Sequence, residues 1–198
     1  IGAPVAAGEA PVAIVVDPTG KFVFASNRNG HSVSAYRVNE NTGALTAIDA
    51  DAGAMGIQHF PAGNSPVALA VDPTGRFVFA TNEFSDNVSA YMIDGTTGAL
   101  TPIDADAVTA GIQHFAAGDR PVAVAVEPAG KAAYVVNQAD STVSTFGINA
   151  TSAMIMTRNA RSPRNLPSTI SVMETGAETS RTSVWLRRSS AISRMAST

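Results

Sequence analysis

The chain has 198 residues, 45% apolar and 15% charged, which is enough apolar side chain for a buried core and excludes a chain disordered by composition. It has no cysteine, so disulfide frameworks, thiolate metal sites and thiol nucleophiles are excluded and the redox compartment stays unread. Its net charge of −3 hides an acidic body, six Lys and Arg against fourteen Asp and Glu up to residue 150. A basic end follows, with seven Arg against two Glu. An acidic body argues against nucleic acid as a partner, since that affinity rests on cations neutralising phosphates.

Residues 1–10, IGAPVAAGEA, align with Gly56 to Ser65 and read as the end of a preceding repeat. Val12 to Val16 is a short apolar run rich in β-branched residues, which predicts a strand covered on both faces. Asp17-Pro18-Thr19-Gly20 then supplies a side-chain acceptor, a preset φ and a residue tolerant of positive φ, the makings of a tight turn. Lys21 to Ser26 returns as a second strand, and Asn27 opens a polar loop with an Asn29-Gly30 turn signal. Ser32 to Val38 is a third strand. Ala44 to Ile48 starts a fourth, which an alanine-rich segment interrupts before Ile57 to Phe60 resumes it.

This pattern returns at a constant spacing, with Pro11, Pro66 and Pro121 each opening a copy 55 residues after the last. A fixed period of this length marks a repeat architecture. The copies at 11–65 and 66–120 share 34 of 55 positions, while the copy at 121–150 is looser: DPTG becomes EPAG, and SAMIM at Ser152 stands where TGALT stands at Thr42 and Thr97. Three strands are predicted for this partial copy. Residues 151–198 carry no further repeat landmark and are rich in Arg, Ser and Thr. A flexible basic arm, a divergent cap and a stretch read in another frame all remain open for them. Each full copy holds about four strands, as one blade of a β-propeller does. The predicted fold is therefore all-β, a propeller fragment of about three four-stranded blades.

Ser65 to Asn82, SPVALAVDPTGRFVFATN, together with Asn87-Val88-Ser89-Ala90-Tyr91 and Thr97-Gly98-Ala99-Leu100-Thr101-Pro102, resembles the lactonase family of seven-bladed β-propellers. Tyr134-Val135-Val136-Asn137 is similar to the related YVTN repeat. The resemblance covers about residues 1 to 150 and implies a seven-bladed parent of which this chain is a part. The family includes 6-phosphogluconolactonases, which hydrolyse the lactone of a phosphorylated sugar acid, and fungal carboxymuconate cyclases. It implies a sugar lactone as the substrate of the complete form, with the fragment inactive alone. A second class of reading is a non-catalytic propeller that presents loops to a protein or glycan partner.

Lactone opening needs a base to activate water and cationic or N–H donors where the oxyanion develops. Propeller sites lie at the channel mouth, so the loops between second and third strands and those leading into each innermost strand supply the candidates. These hold Arg28, His31, Glu83, Asp86 and Asp140, and Glu9, Asn64, Asp119 and Arg120. Arg28, Glu83, Asp119 and Arg120 are taken as substrate-rim candidates. Arg28, Glu83 and Gln138 occupy equivalent positions and should share one rim, although polar loop residues are mostly solvated. Family members place His at the start of certain innermost strands. This chain has Val12, Val67 and Val122 there, so no catalytic residue is carried over.

No cofactor is predicted. His59 and His114, copied with the repeat in IQHF, read as structural features of the outer strand, and three histidines in all speak against zinc. Asp49-Ala50-Asp51-Ala52-Gly53 lacks the later ligands of a calcium loop. Asn27, Asn82 and Asn137 are expected to bond loop backbone as Asx turns. No run is long and apolar enough for a membrane-spanning helix. Localisation is left open, because the chain begins in mid-pattern and a signal peptide upstream is not excluded. An incomplete ring is expected to self-associate through its exposed blade edges.

Overall fold

In the computed structural model, which describes residues 2–51, 59–105 and 114–149 and the backbone of 155–158, three antiparallel sheets follow one another along the chain. The first contains β1 (Pro11–Val16), β2 (Phe22–Asn27), β3 (Ser32–Val38), β4 (Leu45–Ile48) and β5 (Phe60–Pro61). The second repeats it with β6 (Pro66–Val71), β7 (Phe77–Asn82), β8 (Asn87–Ile93), β9 (Leu100–Ile103) and β10 (Phe115–Ala116). The third has β11 (Pro121–Val126), β12 (Ala132–Asn137), β13 (Thr142–Ile148) and β14 (Ile155–Arg158). No helix occurs among the described residues, so none there is long and apolar enough to cross a membrane. The fold is an all-β propeller fragment.

Within each blade the strands pair as a meander, and β4 and β5 both pair with β3, Ala35 opposite Ile48 and Val33 opposite Phe60. The interrupted outer strand predicted from the sequence is two pieces on one neighbour, the second at Phe60–Pro61 rather than Ile57 to Phe60, of which residues 57 and 58 lie outside the described residues. The third blade departs from the prediction of three strands. Ile155–Arg158 pairs with β13, Ile148 opposite Ile155, because Ile155 stands where Leu100 and Leu45 stand one and two periods earlier. Strand pairing runs through the backbone, so it survives the loss of the TGALT side-chain pattern. The rest of residues 150–198 lies outside the described residues.

The DPTG turn forms as its chemistry requires. In the first copy the Asp17 carboxylate accepts from the N–H groups of Thr19 (3.0 Å) and Phe22 (2.7 Å) and from the Thr19 hydroxyl, while the Gly20 N–H donates to the Asp17 carbonyl (2.9 Å). Gly20, Gly75 and Gly130 all have φ near +70° (72°, 69° and 67°), which a side chain would strain. At the other end of each hairpin the register slips between Pro11 and Ala13, Pro66 and Ala68, and Pro121 and Ala123. Proline, without an N–H, fits the start of a strand beside such a bulge.

The core lies between blades. Phe22, Phe24, Val33, Ala35 and Phe60 of the first blade pack against Val78, Ala80, Tyr91, Ile93 and Leu100 of the second. Phe77, Phe79, Val88, Ala90 and Phe115 of the second meet Ala133, Val135 and Phe146 of the third. The Tyr91 hydroxyl donates to the Pro61 carbonyl (2.5 Å), and burial pushes its ionisation upward. β1 corrects the expectation of a strand covered on both faces: Val12, Ile14 and Val16 are exposed, whereas β6 at the equivalent place is half-buried. The face that carries Leu69 and Val71 in the second blade meets the first, and the first has only Val5 and Ala7 ahead of it to cover Val23 and Ala25.

Candidate functional site

One end of the stack carries, in each blade, the loop from second to third strand and the segment entering the innermost strand. The two are laced by backbone bonds at equivalent places: Arg28 N–H to the Ala10 carbonyl, Glu83 to Ser65 and Gln138 to Arg120, each 2.9 Å. The acceptor residues Ala10, Ser65 and Arg120 all have left-handed φ (53°, 61° and 54°), as do His31, Asp86 and Ser141 in the facing loops (46°, 53° and 56°). Such conformations cost non-glycine residues about 1–3 kcal/mol each. Because every copy adopts them, the strain belongs to the loop scaffold rather than to one reacting residue.

Side chains lace neighbouring blades at the same end. His31 Nδ1 accepts from the Ser65 N–H (3.1 Å), and its counterpart Asp86 accepts through Oδ1 from the Arg120 N–H (3.0 Å). Sequence reading placed His31 and Asp86 only as polar loop residues. Their role as acceptors between blades has one signal, a polar side chain at both positions of the copied loop.

The rim candidates divide. Glu83 is buried, with a side chain 7% exposed, and it binds one guanidinium through each oxygen. Arg28 Nη2 donates to Oε2 at 2.7 Å and Arg120 Nη2 donates to Oε1 at 2.6 Å. A carboxylate taken out of water at this depth needs such partners, and two charge-assisted bonds supply them. The arginine side chains keep 40% and 48% of their surface exposed. Arg28 thus comes from the first blade, Glu83 from the second, and Arg120 from the segment entering the third. Asp119 stands apart: it is exposed, and its N–H donates to Asp140 Oδ2 (2.7 Å). Gln138, the third member of the predicted rim set, is exposed and its side chain does not join the cluster.

Phe84 was not singled out from the sequence. Its ring is 57% exposed beside the cluster, with the Arg28 guanidinium carbon 5.6 Å from the ring centroid. The available signal was its lack of counterparts, since the equivalent positions hold Asn29 and Ala139.

Behind the rim the asparagines correct a second expectation. Asn27, Asn82 and Asn137 do not close Asx turns; each Nδ2 donates to the hydroxyl of a serine on the next strand, Ser34, Ser89 and Ser144 at 2.8, 2.8 and 2.9 Å. Each sits at the last position of its second strand, opposite the first residue of the third, which brings the serine two residues further along within reach. A glycine lies against each of these amides, and a Cβ at Gly63 would come within 2.6 Å of Asn82 Nδ2. Ser34 and Ser89 continue to Nδ1 of His59 and His114 (3.1 and 3.2 Å), so the histidines tie the outer strand to this network. Among the described residues no group of three or more His, Asp or Glu is placed to hold a metal ion.

Comparison with known proteins agrees with this architecture. Residues 2–113 match the family model described as lactonase, seven-bladed β-propeller. The chain is 35% identical over 101 residues to a 6-phosphogluconolactonase of Formosa agariphila, covering 50% of this chain and 26% of the relative. It is 31% identical over 113 residues to one of Pectobacterium carotovorum, covering 57% and 29%. The chain thus matches less than a third of the length of these curated relatives. Among solved structures, the periplasmic gluconolactonase of Pseudomonas aeruginosa superposes with a TM-score of 0.60 at 21% identity, over 79% of this chain and 41% of that one. A protein of unknown function from Desulfotomaculum acetoxidans superposes with 0.61 at 19%, over 76% and 41%. With the family model matched over more than half its residues and the blades built as that family's are, this chain belongs to the lactonase family of seven-bladed β-propellers.

Proposed function

We propose that the complete propeller to which this segment belongs hydrolyses a sugar lactone at the end of its central channel, and that Arg28, Glu83 and Arg120 help to hold the substrate there. The observation that carries the proposal is the Arg28–Glu83–Arg120 cluster, drawn from the first blade, the second and the segment entering the third, on the rim of a fold whose relatives include 6-phosphogluconolactonases. In the reaction, water adds to the lactone carbonyl, the bond from that carbon to the ring oxygen breaks, and the leaving oxygen takes up a proton. Positioned donors stabilise the oxyanion formed on the way.

Within the cluster, each oxygen of Glu83 accepts from a guanidinium group and the side chain is only 7% exposed, which leaves it little access to an attacking water. Its role is to hold Arg28 and Arg120. The innermost strands offer no substitute, because Val12, Val67 and Val122 stand where a proton-transferring side chain would face the channel. We place the base in other blades and expect the 198-residue chain alone to turn over no lactone.

The full-length protein, assayed with 6-phosphogluconolactone and unphosphorylated aldonolactones, is expected to hydrolyse at least one of them well above its spontaneous rate. No turnover of any would remove the hydrolase reading. Robust turnover by the isolated 198-residue chain would remove the assignment of the base to other blades.

A further inference from the structure

The two blade repeats that share 34 of 55 positions differ at every residue of the rim loop, Arg28-Asn29-Gly30-His31 against Glu83-Phe84-Ser85-Asp86, and at the entry to the next blade, Asn64-Ser65 against Asp119-Arg120. The two loops nonetheless share the backbone bond into the entry segment, Arg28 to Ala10 and Glu83 to Ser65, and the positive φ at His31 and Asp86. The scaffold therefore does not demand these side chains. The change of side chains on this shared anchoring gives the second blade a buried carboxylate that the first and third lack at the equivalent positions, Arg28 and Gln138.

At this site two guanidinium groups share one carboxylate. Each guanidinium carries five N–H donors in a fixed fork, and each makes one protein hydrogen bond, through Nη2 to Glu83. Neither guanidinium has a further hydrogen-bonding partner among the described residues, and both are exposed by 40% or more. The neighbouring acids do not take up these donors. Asp86 is turned to the Arg120 N–H and Asp140 to the Asp119 N–H, while Glu9 and Asp119 are exposed in the entry segments. Phe84 lays an exposed aromatic face beside Arg28. Single exposed apolar rings are common on protein surfaces, but this one replaces Asn29 and Ala139 at the one blade whose loop carries the buried carboxylate.

We infer that Arg28 and Arg120 form a subsite for an oxyanion on the ligand, a phosphate or a carboxylate, that Glu83 is its positioning residue, and that Phe84 is the face on which the ligand's sugar ring rests. The inference rests on the lactone reading for the kind of ligand but not for the charge it recognises. Two forks on one buried anchor present donors from two directions to one acceptor group, a geometry suited to oxyanions. The ring face of a sugar is flat and carries C–H groups, which suits it to an aromatic side chain.

The test is calorimetric titration of the full-length protein with four probes that cannot be hydrolysed: glucose 6-phosphate, gluconate, glucose and inorganic phosphate. Glucose 6-phosphate or gluconate, whichever carries the matching oxyanion, is expected to bind at least about tenfold more tightly than glucose, the scale of one charge-assisted hydrogen bond. Arg120→Gln and Arg28→Gln, at half-exposed side chains, should each shrink that ratio several-fold, and added salt should shrink it further. Glu83→Gln should lower the ratio as well, with Glu83→Asp restoring part of it. Phe84→Ala should weaken glucose 6-phosphate and glucose alike while leaving inorganic phosphate unchanged. Equal binding of charged and neutral sugars, or a preference that survives both arginine substitutions, would overturn the subsite. A charged-ligand preference in a protein that opens no lactone would leave the subsite standing and sink the hydrolase reading. Turnover with the same KM for the phosphorylated lactone in wild type and Arg120→Gln would do the reverse.

Discussion

Phe24, Phe79 and Tyr134 are one position in three successive blades, and their surroundings differ. Phe24 and Phe79 are 0% and 1% exposed, whereas Tyr134 is 44% exposed; one strand further out, Val33 and Val88 are buried and Val143 is not. Strand pairing is alike at all three places. What differs is whether a following blade lies on top, with Val78 and Ala80 covering the first site and Ala133 and Val135 the second. In a repeat fold an aromatic or β-branched strand residue becomes core through its neighbour, so the stability of each blade is shared with the next.

The sharpest way to break this comparison is to truncate the same position twice. Phe79→Ala is expected to cost about 3–5 kcal/mol, the range for a buried aromatic, while Tyr134→Ala should cost less than about 1 kcal/mol. Urea unfolding midpoints of the two variants read the difference directly. Equal losses would mean that Tyr134 is covered in solution by something other than its own blade.

The next test concerns what the bare faces do. Tyr134, Val136 and Val143 on one end and Ile14 and Val16 on the other are apolar and uncovered. Exposed faces of this kind drive association, so the 198-residue chain is expected to sediment as species larger than a monomer. A Tyr134→Lys, Val143→Lys double variant should sediment lighter at the same concentration. A wild-type chain that stays monomeric and melts cooperatively would show that the two bare faces are tolerated.

The smallest expected effect lies on the outer strand of the second blade. Burial holds the His114 imidazole below its ordinary value of 6.5, against a weaker opposite pull from Asp104. As pH falls through 6.5 the unfolded chain gains a proton that the folded chain resists, so stability present above that pH is lost below it. His114→Gln should flatten the slope of unfolding midpoint against pH across this range. A slope that survives the substitution unchanged would place its origin in another group.

How far the sequence could be read follows from which interactions are local. The DPTG turn, the paired strands around it and the broken outer strand were legible because their determinants sit within a few residues: an acidic acceptor, a proline, a glycine and short apolar runs on either side. The fourth strand of the third blade was hidden because its side-chain pattern had decayed while its spacing had not. The asparagines were misassigned because their partners Ser34, Ser89 and Ser144 lie on the next strand rather than in their own loop.

The rim was legible as a set of positions but not as a site. Sequence period alone brings Arg28, Glu83 and Gln138 to one end of the stack, yet it cannot say which charges meet, since ion pairs form between loops of different blades. Arg28 and Glu83 lie 55 residues apart, and Glu83 and Arg120 lie 37 apart. By itself, then, the sequence determined the repeat, the hairpins and the family resemblance, because backbone propensity and turn chemistry act over short distances. Only the tertiary structure decided that Glu83 would be buried between two arginines while Asp119 and Gln138 stay outside, because burial and charge pairing depend on what the neighbouring blade places there.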